Sequence, residues 1–196
     1  MSESLSVILP VQNAENQLEA KVTELLEVIS ELTSDFELLI VDNGSSDDTE
    51  EVAMELDREY PQINILRHSQ PTESMVAARK GIARSTGDMM LIHDINSPLS
   101  ADAIRQFWEM RNDKELVFAR SESAHATTKS PRIVRSTDSS SWNGTQMLRR
   151  EAVNELQESG AARAKIDRVT RTDIGDAISN PNSMLRQLTD APAESG

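Results

Sequence analysis

The sequence predicts an α/β fold: one domain with a mostly parallel central sheet and helices on both faces. Three observations carry this. Short, nearly continuous apolar runs alternate with longer segments whose apolar residues recur at helical spacing over the first 120 residues, the pattern of strands buried on both faces. Turn-forming Asp, Asn, Gly and Ser gather after several of the apolar runs. The length, 196 residues, suits a single domain.

Leu5 to Leu9 (LSVIL) reads as the first strand, closed by Pro10. Leu18, Val22, Leu25, Leu26, Ile29 and Leu32 follow at helical spacing, with acids on the opposite face. Phe36 to Val41 is the second strand, ending in the turn-rich run Asp42 to Asp47. A helix over Asp48 to Arg58 is expected next, capped by Ser46 or Asp47. Ile63 to Leu66 is the third strand, 74–85 a helix stopped at Gly87, and Met89 to Ile92 the fourth strand. Ala101 to Met110 reads as a helix and Leu116 to Ala119 as a fifth strand.

Beyond residue 120 the pattern changes. Residues 121–145 are rich in Ser, Thr, Arg and Lys, which predicts a long mobile loop. Met147 to Leu156 reads as a helix, and 191–196 as a disordered tail.

Charge narrows the function. Acids outnumber bases 33 to 20, a net charge of −13, and residues 1–60 carry 16 acids against 2 bases. Such a surface repels phosphate backbones and anionic lipid, so neither nucleic acid nor a basic membrane dock is expected. Cysteine is absent, which removes disulfides, thiolate metal sites and a cysteine nucleophile. No apolar run approaches the ~18 residues of a membrane span, and Met1-Ser2-Glu3 does not open a signal peptide, so a cytoplasmic protein is expected.

Parallel sheets bind ligands beyond the carboxyl ends of their strands. That directs attention to Pro10 to Glu15, Val41 to Asp47 and His93 to Asn96. Carboxylates and carboxamides there suit a base and ribose, or a hard cation held through oxygen. Taken singly, the run Asp42 to Asp47 reads first as a turn with a helix cap; the three loops together, on consecutive strand ends, favour a site. His68, His93 and His125 lack metal-pair spacing, and Trp108 reads as core. Trp142 suits either a sugar platform or a surface plug, and no Gly-rich phosphate loop is present.

These segments carry a resemblance. Leu5 to Glu15 (LSVILPVQNAE) is similar to the opening strand of the family 2 glycosyltransferases, and Phe36 to Thr49 (FELLIVDNGSSDDT) to their E-I-I-V-V-D-D/N-G-S-x-D-x-T element. Ala77 to Asp88 (AARKGIARSTGD) resembles the helix before their metal strand, and Leu148 to Val153 (LRREAV) their R-R-E-A helix on the acceptor side. The resemblance implies a single Rossmann-like, A-type glycosyltransferase domain. Residues 1–120 would be its nucleotide-sugar-binding half and 121–190 a short acceptor-side half. It implies a nucleotide-diphosphate sugar donor, an unknown acceptor, a Mg²⁺ or Mn²⁺ ion and inverting single displacement.

By that match Pro10, Val11 and Glu15 would line the nucleoside, and Asp42 or Asn43 would read the base. Asp94 and Asn96 would occupy the D-x-D positions that meet ribose and metal. Asp176 would be the base that takes the acceptor proton, with Asp173 second. The chain also departs from the pattern: Asn96 replaces an acid, which weakens a hard-cation site, Arg79 replaces Asn, Gln12 replaces Tyr and Ala14 an acid. The alternative is therefore a catalytically weakened glycosyltransferase-like domain that serves as a nucleotide-binding or interaction module. A nucleotidyltransferase would want a basic Gly-rich loop after the first strand, which is missing.

Overall fold

A computed structural model of the chain describes residues 3–112, 118–121, 133–134, 144–151 and 153–154. In chain order the elements are β1 (Leu5–Val11), α1 (Leu18–Leu32), β2 (Phe36–Asp42), α2 (Thr49–Glu59), β3 (Ile63–Arg67), α3 (Ser74–Arg84), β4 (Met89–His93), α4 (Ala101–Glu109), β5 (Phe118–Ser121), β6 (Ile133–Val134) and β7 (Thr145–Arg149). The strands form one sheet in the order β3-β2-β1-β4-β7-β5-β6. β1 to β4 run parallel, and β5, β6 and β7 join antiparallel.

Strand alternation divides the core in two. Leu5, Val7, Leu9, Leu38, Ile40, Met89 and Leu91 face α1, α2 and α4, whose Val22, Leu25, Ala53, Leu56, Ile104 and Phe107 fill that layer. Ile8, Leu39, Val41, Met90 and Ile92 face α3 through Ala77, Ala78 and Ile82. α3 lies close on the sheet at Gly81, where a Cβ would stand 2.5 Å from the Ile8 Cγ2 atom. The predicted fold class holds: an α/β domain, mostly parallel, with helices on both faces.

Several boundaries differ from expectation for physical reasons. Pro10 lies inside β1 and pairs with Val41. The Val11 carbonyl accepts the Asn43 N–H, so Pro10 faces the other side, where pairing with β4 has ended at Ile8 and Ile92. A residue without an N–H costs no ladder bond there. The segment expected to be a helix from Met147 begins instead as β7, antiparallel to β4, and helical residues start at Arg150. Met147 and Leu148 point into opposite core layers, a period of two that so short a run does not reveal. Phe118 and Ala119 of the expected fifth strand lie in β5, residues 116–117 lie outside the described residues, and Ser121 pairs with Ile133 inside the stretch expected to be a loop. The remainder of that stretch, Trp142 and the tail 191–196 lie outside the described residues.

Arg149 and Arg150 sit at the start of β4, the sheet edge opposite the strand ends singled out above. Arg149 pairs with Met89 and bonds Glu3, while Arg150 donates to the Gly87 carbonyl at 2.6 Å and the Ser85 hydroxyl at 2.7 Å. They anchor β7 to the far end of its neighbour. No helix among the described residues is long and apolar enough to cross a membrane.

Candidate functional site

The carboxyl ends of β1, β2 and β4 open on one cleft of about 280 Å³, lined by Pro10, Val11, Gln12, Asn43, Ser74, Asp94, Ile95 and Asn96. Parallel strands bring their ends to one edge, and the N-terminus of α3 supplies Ser74. Pro10, Val11, Asn43, Asp94 and Asn96 are thus brought together. Glu15 and Asp42 are not on its wall. Asp176 and Asp173 lie outside the described residues.

Glu15 does something else. The loop after β1 and the loop after β2 are joined by reciprocal hydrogen bonds. Asn13, held at φ 50°, donates its N–H to the Ser45 hydroxyl at 2.9 Å and accepts the Ser46 N–H at 2.9 Å. The Ala14 N–H meets the Thr49 hydroxyl at 2.7 Å, and the Glu15 N–H meets the Asp47 carboxylate at 3.2 Å. The Glu15 carboxylate accepts the Asp48 N–H at 2.9 Å, one of the donors a helix start leaves unsatisfied. The long motif after β2 therefore serves largely as its half of a tether between loops. Burial pushes the Asp47 carboxyl up, but the Thr49 hydroxyl and the Glu15 and Thr49 amides outweigh it and hold it low. Neither expected cap acts as such: Asp48 takes the N-cap position, and Asp47 bonds the Thr49 amide and hydroxyl.

Asp42 is 1% exposed and turns its Oδ1 to the Ser45 N–H at 3.0 Å and hydroxyl at 2.6 Å. Its Oδ2 has no hydrogen bond among the described residues and stands 3.8 Å from the Arg67 Nε. Asp42 thus shapes the turn from below. Asn43 borders the cleft but is heavily committed. Its Oδ1 accepts both the Thr72 N–H at 3.0 Å and the Thr72 hydroxyl at 2.7 Å, and its Nδ2 donates to the Thr72 carbonyl at 2.7 Å. One amide hydrogen is left for a ligand. Gly44, at φ 68°, lets the chain at Gln70 and Pro71 lie directly on this turn.

At the end of β4, Asp94 is half-buried and Asn96 exposed. Asp94 Oδ1 accepts the Asn96 backbone N–H at 3.0 Å, with the Asn96 side-chain amide at 3.4 Å. Asn96 Oδ1 meets the Gln17 amide at 3.4 Å. The carboxamide thus turns its NH₂ toward Asp94 and its oxygen toward α1. Among the described residues Asp94 is the one carboxylate on the cleft wall, and they contain no group of three His, Asp or Glu able to enclose a metal ion. The oxygen donors are hard, as Mg²⁺ or Mn²⁺ prefers, but they carry a single charge.

Behind Asp94, His93 is wholly buried and its Nδ1 lies 2.9 Å from the Thr145 hydroxyl on β7. Burial, helped by the Lys21 ammonium, pulls its pKa down to about 4 against partial opposition from Asp94 and Glu24. It is a neutral structural link. His68 is also buried, with its pKa lowered by burial and then by Lys80.

Sequence reasoning missed Ser74 on the wall, the Asn43–Thr72 clamp and the buried Ser97. Only the clamp left a trace, since Thr72 precedes a helix start; nothing in the sequence pairs it with Asn43.

Comparison with known proteins agrees with the fold. The profile described as glycosyl transferase family 2 matches residues 6–118. Glycosyltransferase AglE of Haloferax volcanii is 35% identical over 94 residues, covering 46% of this chain and 29% of that protein. Dolichol-phosphate mannosyltransferase of Pyrococcus furiosus is 29% identical over 90 residues, covering 46% and 25%. Among solved structures, glucosyl-3-phosphoglycerate synthase of Mycobacterium tuberculosis with Mn²⁺, UDP-glucose and phosphoglyceric acid aligns with a TM-score of 0.54 at 18% identity, covering 76% of this chain and 58% of that one. The mannosyltransferase of Pyrobaculum calidifontis with GDP-mannose and Mn²⁺ gives 0.51 at 16%, covering 60% and 35%. Against AglE, the mannosyltransferase and three further curated relatives, the chain spans from 25% to 41% of the relative's length.

Proposed function

The chain belongs to glycosyl transferase family 2, and we propose that its cleft takes the nucleotide-diphosphate end of a sugar donor, whose sugar passes to an acceptor hydroxyl by inverting single displacement. The observation that carries this reading is the convergence of Pro10, Val11, Asn43 and Asp94 on one cleft. Pro10 and Val11 give the nucleoside an apolar floor, and the remaining Asn43 amide hydrogen is available to a base oxygen or nitrogen. Asp94 faces the ribose and the diphosphate.

Asp94 and Asn96 would hold the divalent cation, which when bound neutralises charge on the departing diphosphate. The acceptor oxygen bonds the anomeric carbon as the bond to the diphosphate oxygen breaks, and the acceptor proton passes to a base. Asp176 is retained for that role on its place in the sequence. Dolichol-phosphate sugar transferases among the relatives support a lipid-phosphate acceptor as one class to test.

Asn96 favours a second reading, a weakened domain that binds nucleotide without turnover. A carboxamide supplies a dipole where a carboxylate supplies a charge, and here its oxygen is turned toward Gln17. Calorimetry with UDP, GDP and dTDP, each with and without Mn²⁺, separates the readings. The enzyme reading expects one nucleotide to bind with a weak Mn²⁺ dependence that Asn96→Asp makes strong. It also expects donor hydrolysis or transfer that Asp176→Asn abolishes. Binding without any turnover in either form leaves the module. No binding of any nucleotide by either form refutes the enzyme and the nucleotide-binding module and leaves only an interaction module.

A further inference from the structure

We propose that Ser97 is a positioning residue for the Asp94 carboxylate, and that it couples the diphosphate end of the cleft to the start of β7. The inference rests on the donor-site reading of Asp94. Ser97 is buried, outside the cleft wall, and its hydroxyl lies between two partners. The Gly144 N–H donates to the Ser97 Oγ at 2.8 Å. The same Oγ lies 3.2 Å from Asp94 Oδ2. A hydroxyl has one proton to give, and a carboxylate can only accept, so the Ser97 proton is directed at Asp94.

The unit is closed by the backbone. The Asp94 N–H donates to the Gly144 carbonyl at 3.0 Å, and the Ser97 N–H donates to the Asp94 carbonyl at 2.9 Å. Gly144 sits at φ 100°, a conformation a side chain would resist, and so presents both its N–H and its carbonyl to this turn. One residue on, the Thr145 hydroxyl meets His93. With Oδ1 held by the Asn96 N–H and Oδ2 by Ser97, the carboxylate is fixed in one rotation. Oδ2 keeps a lone pair for a ligand, and Oδ1 has one only if the long contact from the Asn96 side-chain amide gives way. Where the usual second acid is a carboxamide, this one carboxylate must be presented without a reorganisation cost.

The consequence is selective. Loss of the Ser97 hydroxyl lets the Asp94 carboxylate rotate and should weaken recognition of the diphosphate and its cation, leaving the nucleoside end intact. The experiment is calorimetry of UDP and GDP with Mn²⁺, set against uridine and guanosine, on the full chain carrying Ser97→Ala, the nearly isosteric Ser97→Cys, or Ser97→Thr. Ser97→Ala is expected to weaken diphosphate binding about tenfold, the size of one hydrogen bond to a charged group. Nucleoside affinity should stay within about twofold, Ser97→Cys should fall between, and Ser97→Thr should restore the diphosphate preference. Equal weakening of both ligands would show a merely structural role and overturn the proposal, as would an unchanged ratio. If Ser97→Ala does not fold, Ser97→Cys decides by the same ratio. Failure of the unmutated chain to bind any diphosphate would overturn the donor-site reading itself, and the proposal with it.

Discussion

Replacing Gly44 by alanine tests whether the turn after β2 and the segment lying over it are one mechanical unit. A Cβ at Gly44 would stand 2.5 Å from both the Gln70 carbonyl carbon and the Pro71 nitrogen, against an ordinary contact of 3.4 Å or more. These are backbone atoms, so a rotamer change cannot relieve the clash, and the overlying segment must withdraw by roughly 1 Å, the shortfall from normal contact. That withdrawal stretches the three Asn43–Thr72 hydrogen bonds, now 2.7, 2.7 and 3.0 Å, past a useful length. At about 1 kcal/mol each they total roughly 3 kcal/mol. The φ of 68° adds about 1 kcal/mol of left-handed strain for alanine. We expect Gly44→Ala to lower stability by about 3–4 kcal/mol in urea unfolding, with the midpoint moving and the slope unchanged. The double variant with Asn43→Ala isolates the mechanism. If the clash acts by breaking the clamp, the two substitutions should couple by about 2 kcal/mol. Strict additivity, or a loss under about 1 kcal/mol for Gly44→Ala alone, would refute the reasoning.

Two further outcomes follow from the same geometry. His93 has a folded pKa of about 4 against an ordinary 6.5, so folding favours its neutral form; that contribution is complete above 6.5 and lost as pH falls through 4. The stability difference between the unmutated chain and His93→Gln should shrink by about 2.5 kcal/mol between pH 7.5 and pH 4.5 in urea unfolding; a pH-independent difference would contradict the assignment. Glu15→Ala should cost about 1 kcal/mol of stability through the Asp48 N–H it leaves unpartnered, yet leave calorimetric nucleotide affinity within about twofold; a large affinity loss would return Glu15 to the ligand.

Much of the architecture was legible because burial writes itself into composition. Leu5 to Leu9, Phe36 to Val41 and Met89 to Ile92 are apolar on both faces because helices cover both, and the amphipathic stripe of α1 shows the side it buries. The sheet edge that opens the cleft follows from parallel topology, and Pro10, Val11, Asn43, Asp94 and Asn96 lie on its wall. Failures came where partners lie far apart in sequence. Met147 to Arg149 read as the start of a helix because the five residues of β7, pairing with β4 more than fifty positions earlier, carry no local sign of it. That Glu15 and Asp42 lie off the cleft wall is equally invisible locally, because a carboxylate at a strand end looks the same whether it faces solvent or a backbone amide.

By itself, then, the sequence determined the fold class, the two faces of the sheet and the edge that holds the cleft, since each depends on the periodicity of nearby residues. Only tertiary structure decided which polar side chains remain available there. Asn43 is occupied by Thr72, Glu15 by Asp48, and Asp94 is held by Ser97 with Gly144 behind it. The physical reason is that a hydrogen bond needs a donor and acceptor about 3 Å apart, and no local pattern records which distant segment brings the partner.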